Sequence, residues 1–221
     1  MRTFVIAVMI LCFAFSASAM DRVDTPNNPN AVDPGSVVLP DGGDFTVINA
    51  RDVTVFDNLE DFMANLEADY FFDDFGWLDW GTISGELTYS FGPVNGYSYT
   101  ASASNGLYSV PGALSTNSSG DPLIIDFDGA PVFAVGGDFL STDFDGIPVV
   151  ELVTILLNDG TTVEMTNPQF FAGFTSTEAI TQLQIITTDN WATLDSFYVG
   201  QMSGIISTVE SSWDNVKSLY R

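Results

Sequence analysis

Histidine is absent from this chain, and cysteine occurs once, as Cys12. Without imidazoles or a second thiol there can be no Ser-His-Asp or Cys-His nucleophile, no ordinary zinc site and no internal disulfide. Only carboxylate chemistry is left, and a glycoside hydrolase of that kind needs two carboxylates flanking a sugar. Basic residues are nearly as scarce: 5 Lys and Arg stand against 29 Asp and Glu, a formal net charge of −24. Nucleic acid and anionic membrane are poor partners, since both require a positive surface, and no nucleic-acid partner is expected.

What is present begins with a leader. Phe4 to Phe15, behind Arg2, is an apolar run too short to span a bilayer, and Ala17-Ser18-Ala19 fits the small-x-small cleavage pattern of a secretory signal. Residues 1–19 are therefore expected to leave, taking Cys12 with them, and the remaining chain of about 200 residues is long enough for one domain with a substantial core. The acids are mostly Asp, the better turn former, because its short carboxylate reaches nearby backbone N–H groups. Aspartate is also a hard oxygen ligand for calcium.

Residues 20–44, rich in Pro, Asn, Asp and Gly, read as an extended arm. Phe45 to Asn49 and Val53 to Phe56 read as short strands. A short helix near residues 58–67 comes next, with Asp57 as cap, Glu60 completing a capping box, and Leu59, Phe62, Met63 and Leu66 on one face. Leu87, Tyr89 and Phe91, then Tyr97, Tyr99 and Ala101, alternate with polar residues around Gly92–Gly96, the pattern of a hairpin with one buried face. Gly112 to Gly120 reads as a polar loop. From Pro122 to Gly200 strand succeeds strand, at Leu123–Phe127, Val132–Leu140, Val149–Leu157, Thr161–Met165, Phe170–Phe174, Ile180–Thr187 and Ala192–Val199, with Asp159-Gly160 as a tight turn. The expected fold is an all-β, two-sheet antiparallel jelly-roll-like sandwich over residues 45–200. Residues 201–221 form a tail, in which Val209, Trp213, Val216 and Tyr220 line one face of an expected amphipathic helix and Lys217 and Arg221 occupy its last turn.

Pro131-Val132-Phe133-Ala134-Val135-Gly136-Gly137-Asp138-Phe139, Asp159-Gly160-Thr161, Phe171-Ala172-Gly173-Phe174-Thr175-Ser176 and Leu194-Asp195-Ser196-Phe197 occur in that order. The order resembles that of secreted bacterial PEP-CTERM-type proteins, and the upstream helix around Phe62 fits it. The resemblance implies a jelly-roll sandwich exported to the bacterial envelope exterior or the extracellular matrix. The segment after Gly200 has no Pro-Glu-Pro, no closing transmembrane helix and no arginine cluster, so the family's sorting route is not carried over and no membrane anchor is expected.

Three sets of residues are candidates for function. Trp77 and Trp80, beside Asp73, Asp74 and Asp79, and Trp191, in the turn Thr188-Asp189-Asn190-Trp191, are candidate platforms for a polysaccharide or surface glycan, because sugar faces pack C–H groups on rings. Asp126 and Asp128, with Asp143 and Asp145, sit in a near-repeat, Asp-Phe-Asp-Gly-Ala/Ile-Pro-Val, whose corners are candidate calcium ligands. Neither copy is an EF-hand, because the later ligand positions are missing. Trp213, Val216, Lys217 and Tyr220 are candidates for a tag read by a sorting or assembly partner. Asp74-Phe75-Gly76 spells the kinase metal-binding tripeptide, but the required strand lysine and His-Arg-Asp loop are missing. The expected role is a secreted, non-catalytic binding module. A structural subunit of an extracellular array is the first alternative, and a carboxylate-based hydrolase the second.

Overall fold

The computed structural model describes residues 45–48, 50, 52–166 and 170–203. They form β1 (Phe45–Ile48), β2 (Val53–Phe56), α1 (Leu59–Ala64), β3 (Phe71–Asp73), β4 (Thr88–Val94), β5 (Tyr97–Ser102), β6 (Leu107–Val110) and β7 (Ala113–Thr116). The second half contributes β8 (Leu123–Gly129), β9 (Val132–Thr142), β10 (Leu152–Leu157), β11 (Thr162–Thr166), β12 (Phe171–Ile180), β13 (Gln182–Ile186) and β14 (Trp191–Gly200). One sheet has the order β1-β11-β10-β13-β8-β5-β4; the other has the order β2-β12-β9-β14-β7-β6, with β3 also on β14. The two antiparallel sheets pack as the expected sandwich. The expected C-terminal helix, the arm and the leader lie outside the described residues.

Alternation explains the layers, because successive side chains of a strand point to opposite faces. Tyr97, Tyr99 and Ala101 of β5, Ile155 of β10, Met165 of β11 and Ile185 of β13 project inward from the first sheet. They meet Phe139, Phe174, Leu194, Phe197 and Val199 of the second. From β7 onward every connection crosses between the sheets except the β10–β11 hairpin at Asp159-Gly160, where Gly160 takes φ +88°. That repeated crossing lets neighbouring apolar runs enclose one core.

Several local expectations change. The helix cap is Asn58, not Asp57: the Asn58 side chain accepts from Asp61 N at 2.9 Å, so Leu59 starts the helix and stays exposed. Residues expected as a polar loop hold β7, buried along its whole length and paired with β6 across Pro111-Gly112. Small hydroxyl side chains can be buried when they are hydrogen-bonded. Here Thr193 Oγ1 donates to Ser115 Oγ at 2.9 Å, and Thr142 and Thr193 hydroxyls bond at 2.8 Å. The expected turn over Gly92–Gly96 narrows to Asn95-Gly96, with β4 running on through a cis Gly92–Pro93 bond.

α1 lies on the outer face of the second sheet. Phe62 is fully buried there, among Phe56, Phe171 and Tyr198. Gly136 and Gly173 make room for its ring: a Cβ at Gly173 would stand 2.5 Å from Phe62 Cδ2, and one at Gly136 would stand 2.8 Å from Cε1. Burying that ring stabilises the fold by roughly 2–3 kcal/mol.

Candidate functional site

The segment after β3 presents two of the three candidate tryptophans. Asp73 is buried at the end of β3, and its carboxylate accepts from Phe75 N at 3.0 Å and from Tyr99 OH at 2.9 Å. Phe75 takes φ +50°, which reverses the chain, and both Phe75 and Leu78 insert into the core. With those two side chains inward, Trp77 and Trp80 are directed outward, 51% and 54% exposed. Trp77 lies against Tyr89 with ring centroids 5.9 Å apart and planes 33° apart.

Aspartates brace this loop from within. Gly76 N donates to Asp74 Oδ1 at 2.9 Å and Trp80 N to Asp79 Oδ1 at 2.8 Å, while Ser109 Oγ donates to the Asp79 carbonyl at 2.7 Å. The far end of the loop is pinned to β6, with Gly81 N donating to Ser109 O and Gly85 N to Leu107 O, each at 2.9 Å. Desolvation by burial pushes the Asp73 carboxyl above the usual carboxylate range, against the pull of the Phe75 and Tyr99 donors. The Tyr99 hydroxyl is raised well above its ordinary value by burial and by the adjoining Asp73 charge.

Trp191 is placed differently from the expectation. It is not a turn residue but the first residue of β14, paired with Thr142, and it is buried. The chain after β9 folds over this outer face of the sheet: Phe144 meets Trp191 edge-on at 6.1 Å, and Gly146 sits against Val110. Glu151 fixes that cover by accepting from Ser141 Oγ, Thr188 N, Asp189 N and Asn190 Nδ2. Trp191 therefore offers no face to a ligand.

The near-repeat takes two conformations. Asp126 and Asp128 lie within β8, where Asp126 Oδ1 accepts from Gln182 Nε2 at 2.7 Å and Asp128 Oδ2 from Thr100 Oγ1 at 3.0 Å. Asp143 instead opens a tight loop, its Oδ1 accepting from Asp145 N at 3.0 Å and Ile147 N at 2.9 Å. β8 has β5 and β13 as neighbours, whereas the loop after β9 folds back on its own strand end, with Thr142 bridging Pro148 and Asp143 N donating to Ile147 O at 2.9 Å. Neighbouring strands, not the seven residues, decide the outcome. Both copies stand at strand ends but present their carboxylates differently, and among the described residues no group of three or more His, Cys, Asp or Glu is arranged to hold a metal ion. Trp213, Val216, Lys217 and Tyr220 lie outside the described residues.

A carboxylate pair escaped the sequence reading. Asp138 of β9 and Asp195 of β14 face each other directly in the register, on the outer face of the second sheet. Burial, and then the Asp195 charge, push Asp138 up to about 6; Asp195 is raised too, by burial first. Ser196, at φ +50°, inserts one extra residue between Asp195↔Asp138 and Tyr198↔Gly136. That bulge turns Phe197 into the core and leaves Asp195 and Tyr198 outward.

The architecture defines an all-β two-sheet sandwich bearing an indole-displaying loop. No family model, no curated protein and no solved structure matches this chain.

Proposed function

We propose that the protein is a secreted, non-catalytic β-sandwich that binds carbohydrate at the cell surface or in the extracellular matrix, through the loop carrying Trp77 and Trp80. The observation that carries this reading is the loop's division of labour. Its buried residues, Phe75 and Leu78, anchor it, and its two largest rings are left in solvent. Sugar C–H faces pack on a half-exposed indole, and a ring held by a braced backbone loses little entropy on binding. The Asp74 and Asp79 carboxylates beside the rings are acceptors for hydroxyls.

Affinity electrophoresis of the mature chain through a panel of polysaccharides tests this. Retardation by at least one glycan is expected, with binding weakened tenfold or more in Trp77→Ala or Trp80→Ala. Mobility unaffected by every polysaccharide, or binding indifferent to both substitutions, would refute it.

A structural subunit is the second reading, favoured by the outer position of β1 in its sheet and the exposure there of Val47 and Ile48. An open strand margin can pair with another chain. Light scattering that rises with protein concentration, and not with added glycan, would favour it.

A further inference from the structure

All five basic residues, Arg2, Arg22, Arg51, Lys217 and Arg221, lie outside the described residues, and among the described residues no cationic side chain faces Asp138 or Asp195. The cost of acidity is greatest where like charges meet away from water. Asp138 and Asp195 are such a place, and Asp74 adds its negative charge to Asp195. Ser196 compensates both acids in part, its Oγ donating to Asp195 Oδ1 at 3.2 Å and also serving Asp138, and its backbone N–H bonding Asp195, but burial still holds both carboxyls above their usual range.

Beside the pair runs an aromatic strip. Phe72 of β3 stacks on Tyr198 at 4.6 Å, and Tyr70 lies 5.9 Å from Tyr198. Phe72 is 43% exposed although it lies mid-strand in β3 and is paired with Tyr198. Rings and acids share one outward face, between α1 and the loop that covers Trp191. The described chain ends at its border: Gly200 abuts Tyr70 and Leu66, Met202 bridges to Leu66, and Ser203 N donates to Asn65 O at 2.7 Å.

The remaining C-terminal residues complement this face in both chemistry and length. Ser207 to Arg221 carries Trp213, Val216 and Tyr220 on one helical stripe, and its charges are segregated along the chain, with the acids Glu210 and Asp214 in the first part and the bases Lys217 and Arg221 at the far end. As a helix it would be about 22 Å long. The strand path from Ser203 back to Asp195 is about 26 Å. A helix turning back along β14 would lay its apolar stripe on Phe72 and Tyr198 and bring its two cations within side-chain reach of the acids.

We propose that the C-terminal segment Ser207–Arg221 docks on the outer face of the second sheet of its own chain, its Trp213 stripe against Phe72 and Tyr198 and its Lys217 and Arg221 against Asp138 and Asp195. The tail then supplies the counter-charge for the pair. A cation beside two carboxylates offsets their repulsion far more than either acid's hydrogen bonds do, and partial burial limits screening by salt.

Hydroxyl-radical footprinting of the full mature chain reads this directly, with Trp77 as an internal reference on a different loop. In the native chain Phe72 and Tyr198 are expected to be protected. In Trp213→Asp, and independently in Lys217→Glu/Arg221→Glu, labelling at Phe72 should rise several-fold while Trp77 stays constant. Adding Asp138→Lys/Asp195→Lys to the charge-reversed tail should restore protection, which a merely destabilised fold would not do. Equal labelling of Phe72 in native and tail-substituted chains would overturn the proposal. Protection that disappears on dilution would also overturn it, by assigning the face to the tail of a second copy.

Discussion

At the scale of single residues, the aspartates of the described chain take donors from backbone N–H and hydroxyl groups instead of from lysine and arginine. Asp73 is the clearest case, since its two donors, Phe75 N and Tyr99 OH, join the indole-bearing loop to the centre of the core. Tyr99→Phe keeps the ring stack on Phe91, at 4.7 Å and 13°, and removes one donor from a buried carboxylate. The expected loss is about 1–3 kcal/mol at pH 7. It should shrink at pH 4, where the Asp73 carboxyl, already raised by burial, takes up a proton and no longer needs that donor; thermal melts at the two pH values check this. Much of this scale was hidden in the sequence. Asp57 and Asn58 are both good caps, and only the position of Asp61 N selects Asn58. Trp191 looked like a turn residue because Asp189 and Asn190 precede it, but its exposure depends on Phe144, a residue far away in sequence that folds over it. Trp77 and Trp80 are exposed, as a surface platform requires, and the signal for it in the sequence was Phe75 and Leu78, the inward half of the same short stretch.

At the scale of elements, alternation made most strands visible, including both partners of the Asp159-Gly160 hairpin, whose inward residues Val163 and Met165 are fully buried. β7 was missed because the stretch after Gly112 is rich in Ser and Thr, which reads as solvent-facing until the hydroxyl ladder through Thr142, Thr193 and Ser115 is seen, and β6, only four residues long, was missed with its partner. Pro111-Gly112 between two four-residue runs was the available signal. The bulge at Ser196 left no trace in composition, and with it went the Asp138–Asp195 pairing, since register between strands distant in sequence is not written in either one. α1 gives a prediction at this scale. Gly173→Ala would drive a methyl group into the Phe62 ring, and strain of that kind costs about 1–3 kcal/mol. Phe62→Ala leaves a cavity and costs about 3–5 kcal/mol. The double variant should lose less than the two losses added, since the space vacated by the Phe62 ring accepts the new methyl; chemical denaturation of the three variants measures that coupling.

At the scale of the whole molecule, a sandwich so rich in carboxylates and so poor in bases should respond to the medium. Asp73, Asp138 and Asp195 all have raised folded-state pKa values, so between about pH 4 and 6 these three groups bind more protons in the folded chain than in the unfolded one. Unfolding free energy therefore rises as pH falls from 7 into that window. The melting temperature at pH 5 should exceed that at pH 7, and added sodium chloride should raise it at pH 7 by screening like charges. The opposite slope with pH would mean that other carboxylates, better satisfied in the folded state, dominate. If the tail docks as proposed, Trp213→Asp should steepen the gain on acidification, because Asp138 and Asp195 then lack their cations. The loop between Asp74 and Glu86 carries a last consequence. Its hydrogen bonds to Ser109 and Leu107 fill the outer side of β6 that an invading strand would otherwise occupy. Substitutions that loosen the loop to test the proposed sugar binding would thus also unseal a sheet margin, and clumping should accompany them whatever their effect on any ligand.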